Sequence, residues 1–307
     1  MSFQPEYIVL FNKVQIRYFG IIIVAAMLIA AWVAARLAKR DRRDPDHVWG
    51  ALTWAIIPAI VLARLWYIIF PPLSLTGQNP PMDTAWFFQN FFNLNNGAIA
   101  IWSGGLSIFG AIIGGLLGAY IYIRRNHLPL AAWLDIAGVA VPLGQAIGRW
   151  ADYVNQMLYG TVTNLPWGIT IDSTHRIAPY KSLVDFPVDT TKFHPLFLYE
   201  SLWNLLAFVV LLNIFLRNRN KLRFGDLFLF YLMQYAFIRF LLEFLRVDVA
   251  YIPGTTINSS QVFCVIVFVA SFVVFLYRQR SAPTVEEALK ANPTPAASTS
   301  TTTTKTA

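Results

Sequence analysis

The residues of this sequence that could do chemistry are charged side chains set inside or at the edges of apolar stretches. Arg149 and Asp152 close one stretch, His194 and Glu200 open the next, Arg239, Glu243 and Arg246 sit in a third, and Arg64 lies in an earlier one. A charge at bilayer depth costs about 2.5–3.5 kcal/mol on insertion scales, so such groups face a protein interior or a water-filled cavity and mark function. Arginine predominates, and its planar fork matches phosphate oxygens. The set predicts a cationic cavity that takes the headgroup of an anionic phospholipid from the outer leaflet. The competing reading of Arg239 and Glu243, four residues apart on a helix, is mutual neutralisation. It does not account for Arg64 and Arg149. Asp135 stands apart, nearer the opposite side. Cys264, the single cysteine, cannot form an intramolecular disulfide and reads as a small core residue.

The elements that must hold these charges are membrane helices. Of the 307 residues, 56% are hydrophobic and 13% charged, against roughly 45–50% and 25% in a soluble domain. Apolar runs long enough to cross a bilayer occur at 17–37, 50–70, 98–123, 129–148, 195–216, 224–245 and 259–277. They lack the period-2 alternation of an outer-membrane barrel, so the expected fold is an all-α integral membrane protein of about seven transmembrane helices. The first run lacks a small-residue cleavage site and reads as a retained helix.

The net charge of +8 is concentrated in loops, so it sets orientation and does not indicate nucleic-acid binding. Alternate connections carry Arg36, Lys39, Arg40, Arg42 and Arg43, then Arg124 and Arg125, then Arg217, Arg219, Lys221 and Arg223, then Arg278 and Arg280. The opposite set carries fewer basic residues over longer segments. The N-terminus is therefore expected outside and the C-terminus in the cytoplasm, with the charged constellation near the outer side.

The expected membrane domain covers 1–280. Residues 153–193, between helices four and five, are expected to form a small outer-face cap. The Thr- and Ala-rich tail 281–307 is expected to be disordered. Trp86, Phe87, Phe88, Phe91 and Phe92 have roughly helical spacing and suit the outer headgroup layer. Gly110, Gly114 and Gly118 give one helix a small face for close packing.

At these residues the chain resembles the prolipoprotein diacylglyceryl transferase family. Residues 148–160, GRWADYVNQMLYG, look like the family signature, and 194–200, HPLFLYE, are similar to its His-Pro-x-x-Leu-Tyr-Glu. Ala63 to Tyr67, the Gly-Gly-Leu of 104–106, and Arg239 with Glu243 and Arg246 also stand where the family has counterparts. The resemblance spans most of residues 14–278. It departs at four positions: Phe19 replaces the tyrosine of the first-helix motif, Ser103 an often-found histidine, Asp152 an asparagine and Met157 a glutamate.

The resemblance implies transfer of diacylglycerol from phosphatidylglycerol to the lipobox cysteine of lipoprotein precursors, at the outer face of the bacterial plasma membrane, without cofactor or metal. Arg149 and Arg239 would stabilise the phosphate leaving group. Tyr235 ranks first as a base, because the family has a tyrosine one turn before this arginine; His194, Asp152 and Glu243 are the alternatives. His194, ahead of Pro195, also suits a helix cap. Substrate contacts would come from Arg64, Gly104, Gly105, Asp152, Asn155 and Gly160, and from His194, Tyr199, Glu200, Glu243 and Arg246. The alternative is a catalytically impaired homologue that binds anionic lipid or lipoprotein precursors.

Overall fold

The computed structural model describes residues 7–10, 14–71, 73–77, 81–101, 104–252 and 254–291. A short antiparallel pair, β1 (Tyr7–Leu10) and β2 (Val14–Arg17), precedes α1 (Tyr18–Arg40). There follow α2 (Asp46–Ile69), α3 (Leu73–Thr76), α4 (Thr84–Gln89), α5 (Ile108–Arg125) and α6 (Leu130–Val154). The last helices are α7 (Leu196–Asn218), α8 (Asp226–Leu242), α9 (Ser259–Ser281) and α10 (Val285–Ala291).

Among the described residues, seven segments are long and apolar enough to cross a membrane: α1, α2, α5, α6, α7, α8 and α9, with those of α7 and α8 continuing to Lys221 and Leu245. Large apolar side chains such as Ile57, Leu116 and Ile266 remain exposed along them, as lipid-facing helices require. The third of these helices starts at Ile108, ten residues after the start of its apolar run. The chain divides into two compact units, residues 28–133 and residues 1–27 with 134–307.

In the first unit α2 and α5 pack almost backbone to backbone. A Cβ at Gly110, Gly114 or Gly118 would collide with the carbonyl oxygens of Leu62, Pro58 and Trp54 respectively, so the small face expected from sequence is the contact itself. Pro58 has no N–H to give the Trp54 carbonyl, so that acceptor lacks its usual helical donor, and Gly118 lies against it. The aromatic cluster is partly helical. Asp83 caps α4 by accepting from the Trp86 N–H at 2.8 Å, and Phe87 is buried against Ile68 and Ala98.

In the second unit Asp135 is fully buried near the start of α6 and organises the start of α8. It accepts from Arg219 Nη1 at 2.6 Å and from the N–H groups of Gly225, Leu227 and Phe228 at 2.7, 2.9 and 3.2 Å. A carboxylate that satisfies a helix's first donors and pairs with an arginine is a cap supplied by a neighbouring helix. This explains why Asp135 stood apart from the other charges. Gly138, one turn further on, lets α6 approach α8, since a Cβ there would lie 2.9 Å from Phe228 Cα.

The tail is ordered for some way past Ser281. Val285 is buried and donates its N–H to the Leu222 carbonyl at 2.7 Å, and Arg223 Nε donates to the Ala282 carbonyl at 2.7 Å. The expected disorder therefore does not begin at 281: buried contacts of Val285 hold α10. Residues from 292 onward lie outside the described residues.

Candidate active site

Three helices place the charges of the second unit together. Arg149 and Asp152 come from the last turns of α6, Glu200 from the second turn of α7, and Arg239 from the last turn of α8, with Glu243 and Arg246 just beyond it. Arg149 donates through Nη1 to Asp152 Oδ2 at 2.8 Å and through Nη2 to Glu200 Oε1 at 2.6 Å. Glu200 Oε2 accepts from Arg239 Nη1 at 3.2 Å. Glu243 Oε2 lies 3.6 Å from both Arg239 Nη2 and Arg246 Nη1. Two carboxylates thus bridge three arginines in a continuous chain.

The expectation of a cationic cavity needs correction. Three arginines meet three carboxylates, so the cluster's formal charges cancel. Burial separates them: the Glu200 and Glu243 side chains are 3% and 1% exposed, whereas the three arginines are 19–21% exposed. The acids neutralise and orient the guanidinium groups from behind, and the arginines front a small cleft lined also by Leu158, Leu196 and Phe197. Such an arrangement keeps fixed donors aimed at an incoming anion. Within the chain of charges, Glu243 has no hydrogen-bonded partner for either oxygen, and Arg246 Nε none.

Tyr235, one turn before Arg239, interacts with Arg149, Glu200 and Arg239. Its ring stacks on Tyr231, with centroids 6.1 Å apart, and the Tyr231 hydroxyl accepts from Gln145 Nε2 at 3.1 Å. Asn204, one turn after Glu200, is completely buried with neither amide atom paired. Sequence reasoning missed Gln145, Tyr231 and Asn204. The signal was present: each lies four residues from Arg149, Tyr235 or Glu200, on the same helical face.

Behind the cleft, Gly160 is the junction of three motifs. Its N–H donates to the His194 carbonyl at 2.9 Å, Thr161 N–H donates to the Leu245 carbonyl at 2.8 Å, and Gly160 is bridged to Arg246. A Cβ on Gly160 would lie 2.8 Å from His194 Cβ and 2.9 Å from the Leu245 carbonyl oxygen. Only glycine lets these strands meet. His194 does not cap α7, whose N-cap residue is Pro195. The ring Nδ1 of His194 lies 3.1 Å from the Tyr199 hydroxyl, which accepts from Trp167 Nε1 at 2.9 Å. His194 and Tyr199 therefore brace the segment 155–195 against α7. Asn155 donates to Met157 Sδ at 4.0 Å and makes no bond to the arginines.

Residues 155–195 are almost free of regular structure. They close around Tyr159, Ile171 and Phe193, and Gln156 ties the segment together by donating to Asp172 Oδ2 and accepting from the Asp172 N–H, each at 2.7 Å.

Arg64 is not available as a phosphate ligand. It is 5% exposed and its donors are taken by backbone carbonyls of the first unit: Nε by Ala98 at 2.9 Å, Nη2 by Gly97 at 2.6 Å, and Nη1 by Gly104 and Gly105 at 2.7 and 2.9 Å. Gly104 and Gly105 are thus brought to Arg64, through their carbonyls. Ser103 lies outside the described residues. Among the described residues no group of three metal-ligating side chains occurs.

The pattern of the family described as prolipoprotein diacylglyceryl transferase matches residues 5–277. The chain belongs to the prolipoprotein diacylglyceryl transferase family. Among curated relatives, the phosphatidylglycerol–prolipoprotein diacylglyceryl transferase of Chloroflexus aggregans is 37% identical over 297 residues, covering 91% of this chain and 92% of that protein. The enzyme of the same name from Pediococcus pentosaceus is 34% identical over 270 residues, covering 87% and 88%. That of Prochlorococcus marinus is 34% identical over 283 residues, covering 87% and 90%. The diacylglyceryl transferase match takes in the arginine cluster, the Gly160 junction and the Arg64 clasp alike.

Proposed function

We propose that this protein transfers the diacylglyceryl group of phosphatidylglycerol to the thiol of a lipobox cysteine in lipoprotein precursors, at the outer face of a bacterial plasma membrane. The observation that carries the reading is the pair Arg149 and Arg239 held on the two oxygens of buried Glu200, a fixed double fork facing a cleft. The names of the relatives supply the lipid and the class of acceptor.

The lipid phosphate sits against the two guanidinium groups. An apolar groove formed by Ile22, Leu143, Ala146, Ile147, Trp150 and Leu205 uses the neighbours of Arg149 and Glu200 along α6 and α7 and suits acyl chains. The thiolate attacks the glyceryl carbon that bears the phosphate, a C–S bond forms, the C–O bond breaks, and glycerol phosphate leaves with the electron pair. The arginines hold the charge that grows on the leaving oxygen, an electrostatic effect worth about 10²–10³ in rate per donor. A free thiol has a pKa near 8.5 and a neighbouring cation raises its thiolate fraction, so the thiol gives its proton to solvent before it attacks; Tyr235, ranked first as a base from the sequence, would serve as one only in its phenolate form.

The basic residues of the alternate connections support an N-terminus outside and a C-terminus in the cytoplasm. The cluster sits where α6 ends, α7 begins and α8 ends, which is one side of three alternating helices. In the same orientation the cap expected over 153–193 would lie outside. The test is transfer of labelled diacylglycerol from phosphatidylglycerol to a lipobox peptide by the purified protein, with a Cys→Ser peptide as control. Cysteine-dependent labelling is expected; folded, lipid-bound protein that labels neither peptide would overturn the reading.

A further inference from the structure

Arg64 is a buried cation without a carboxylate partner among the described residues. Its charge is met by four carbonyl dipoles and by the rings of Tyr67 and Phe87, whose centroids lie 5.5 and 5.6 Å from its Cζ. A buried charge compensated only by dipoles favours an anion nearby. The way it holds the chain says where that anion would sit.

A trans peptide is planar, with its N–H opposed to its C=O. The Gly104 carbonyl belongs to the peptide whose N–H is that of Gly105, and the Gly105 carbonyl to the peptide whose N–H is that of Leu106. By drawing both carbonyls onto one nitrogen, Arg64 Nη1 turns both N–H groups away from itself. Neither N–H has a partner among the described residues, whereas the next, that of Ser107, donates to the Ala63 carbonyl at 3.0 Å. Gly104 and Leu106 are exposed, and a Cβ at Gly104 would meet nothing within 4 Å. Both glycines are in the left-handed region, at φ 89° and 69°, and a Cβ at Gly105 would lie 2.6 Å from Arg64 Nη1. The turn requires glycine at both positions.

We propose that Arg64 is a positioning residue that presents the Gly105 and Leu106 N–H groups as a second, two-pronged site for a phosphate oxygen, additional to the Arg149 and Arg239 cleft, in this membrane for the phosphodiester of a further anionic phospholipid. Successive outward N–H groups backed by a positive charge bind anions without any side chain touching them. The inference rests on the transferase reading for the identity of the lipid only.

The experiment uses the full chain with Arg149→Ala and Arg239→Ala, which silence the cleft, held in neutral lipid nanodiscs, and measures its affinity for phosphatidylglycerol and for diacylglycerol, which lacks the phosphate. Leu106→Pro removes one donor and leaves the carbonyls that Arg64 holds. It is expected to weaken phosphatidylglycerol binding about tenfold and to leave diacylglycerol unchanged. Arg64→Gln should weaken it similarly, and Leu106→Pro added to Arg64→Gln should cost little more, because both act through the same N–H. Should Arg64→Gln fail to fold, Leu106→Pro decides alone. Phosphatidylglycerol affinity within twofold of the same chain with the turn unaltered, or an equal loss for diacylglycerol, overturns the proposal. Displacement of the lipid by glycerol 1-phosphate, lost in Leu106→Pro, assigns the turn to the free phosphate as well; displacement by neither it nor inorganic phosphate restricts it to the intact lipid. Lipid binding through this turn, with no transfer by the natural protein, would end the transferase reading and leave the site standing.

Discussion

Glu200 accepts from Arg149 at 2.6 Å through one carboxylate oxygen and from Arg239 at 3.2 Å through the other, so one buried acid sets the spacing of two cations contributed by different helices. Replacing it by glutamine keeps the shape and removes the charge. Glu200→Gln is expected to release the two guanidinium groups from their common anchor and lower kcat by 10²-fold or about that. The check is steady-state transfer at saturating phosphatidylglycerol, beside a thermal melt that shows the fold intact.

Arg149→Ala and Arg239→Ala each remove a cation from the cleft. Each should cut transfer by about 10²–10³, whereas Arg36→Ala, whose guanidinium stacks 4.2 Å from the Trp32 ring centroid, should leave it unchanged. Equal loss from all three would sink the cleft as the site of reaction.

Asp152 tests the balance of charge. It pairs with Arg149 at 2.8 Å and brings the cluster to formal neutrality. Asp152→Asn adds one positive charge to a partly exposed site. Phosphatidylglycerol KM is expected to fall by up to about fivefold, the scale of one solvent-screened ion pair, without loss of kcat. A rise in KM would show that Asp152 holds Arg149 in its working position.

The helices were legible because a bilayer demands some twenty apolar residues per crossing, and the glycine face of α5 was legible because close packing demands small residues at i and i+4. The arginine cluster was legible for the same reason that it is costly: charges do not lie in apolar runs without a partner. Arg64 met that criterion too, but with partners of another kind. Its partners are backbone carbonyls of residues 97–105, and no side-chain pattern announces them. The same carbonyls explain why α5 starts at Ile108 and not at 98, since left-handed Gly104 and Gly105 break the helix. The neutrality of the cluster escaped as well, because spacing reveals that charges are near one another and leaves open which of them is buried.

Tyr159 offers a prediction in pH. It lies outside the membrane segments, is 5% exposed, and accepts from the Ile177 N–H at 2.7 Å. Burial pushes its phenol above the ordinary value of 10.0. A phenol that ionises less readily folded than unfolded contributes stability below the unfolded value and loses it as pH rises from there toward the folded one. The melting temperature of the natural protein should therefore drop more steeply above pH 10 than that of Tyr159→Phe, which has no phenol to ionise. At neutral pH Tyr159→Phe should itself be less stable by about 0.5–1.5 kcal/mol, because the hydrogen bond from the Ile177 N–H is lost.

Gly160 gives the sharpest separation of geometry from chemistry, since it carries no functional group. Gly160→Ala places a methyl 2.8 Å from His194 Cβ and 2.9 Å from the Leu245 carbonyl, and something must move. The backbone of 245–246 is tied to residues 160–161 by the Thr161 N–H and the bridge between Gly160 and Arg246, so a shift at 160 is passed on to it. Displacing it shifts Arg246 and, through Glu243, the chain of charges that ends on Arg239. Overpacking of this kind costs about 1–3 kcal/mol of stability, while misplacement of a catalytic cation by an ångström costs about 10² in rate. The expected outcome is a protein that folds, melts a few degrees lower, and transfers diacylglycerol at least a hundredfold more slowly. Full activity at the lowered melting temperature would mean that Arg246 and Glu243 do not tune Arg239, and that the cleft works through Arg149 and Glu200 alone.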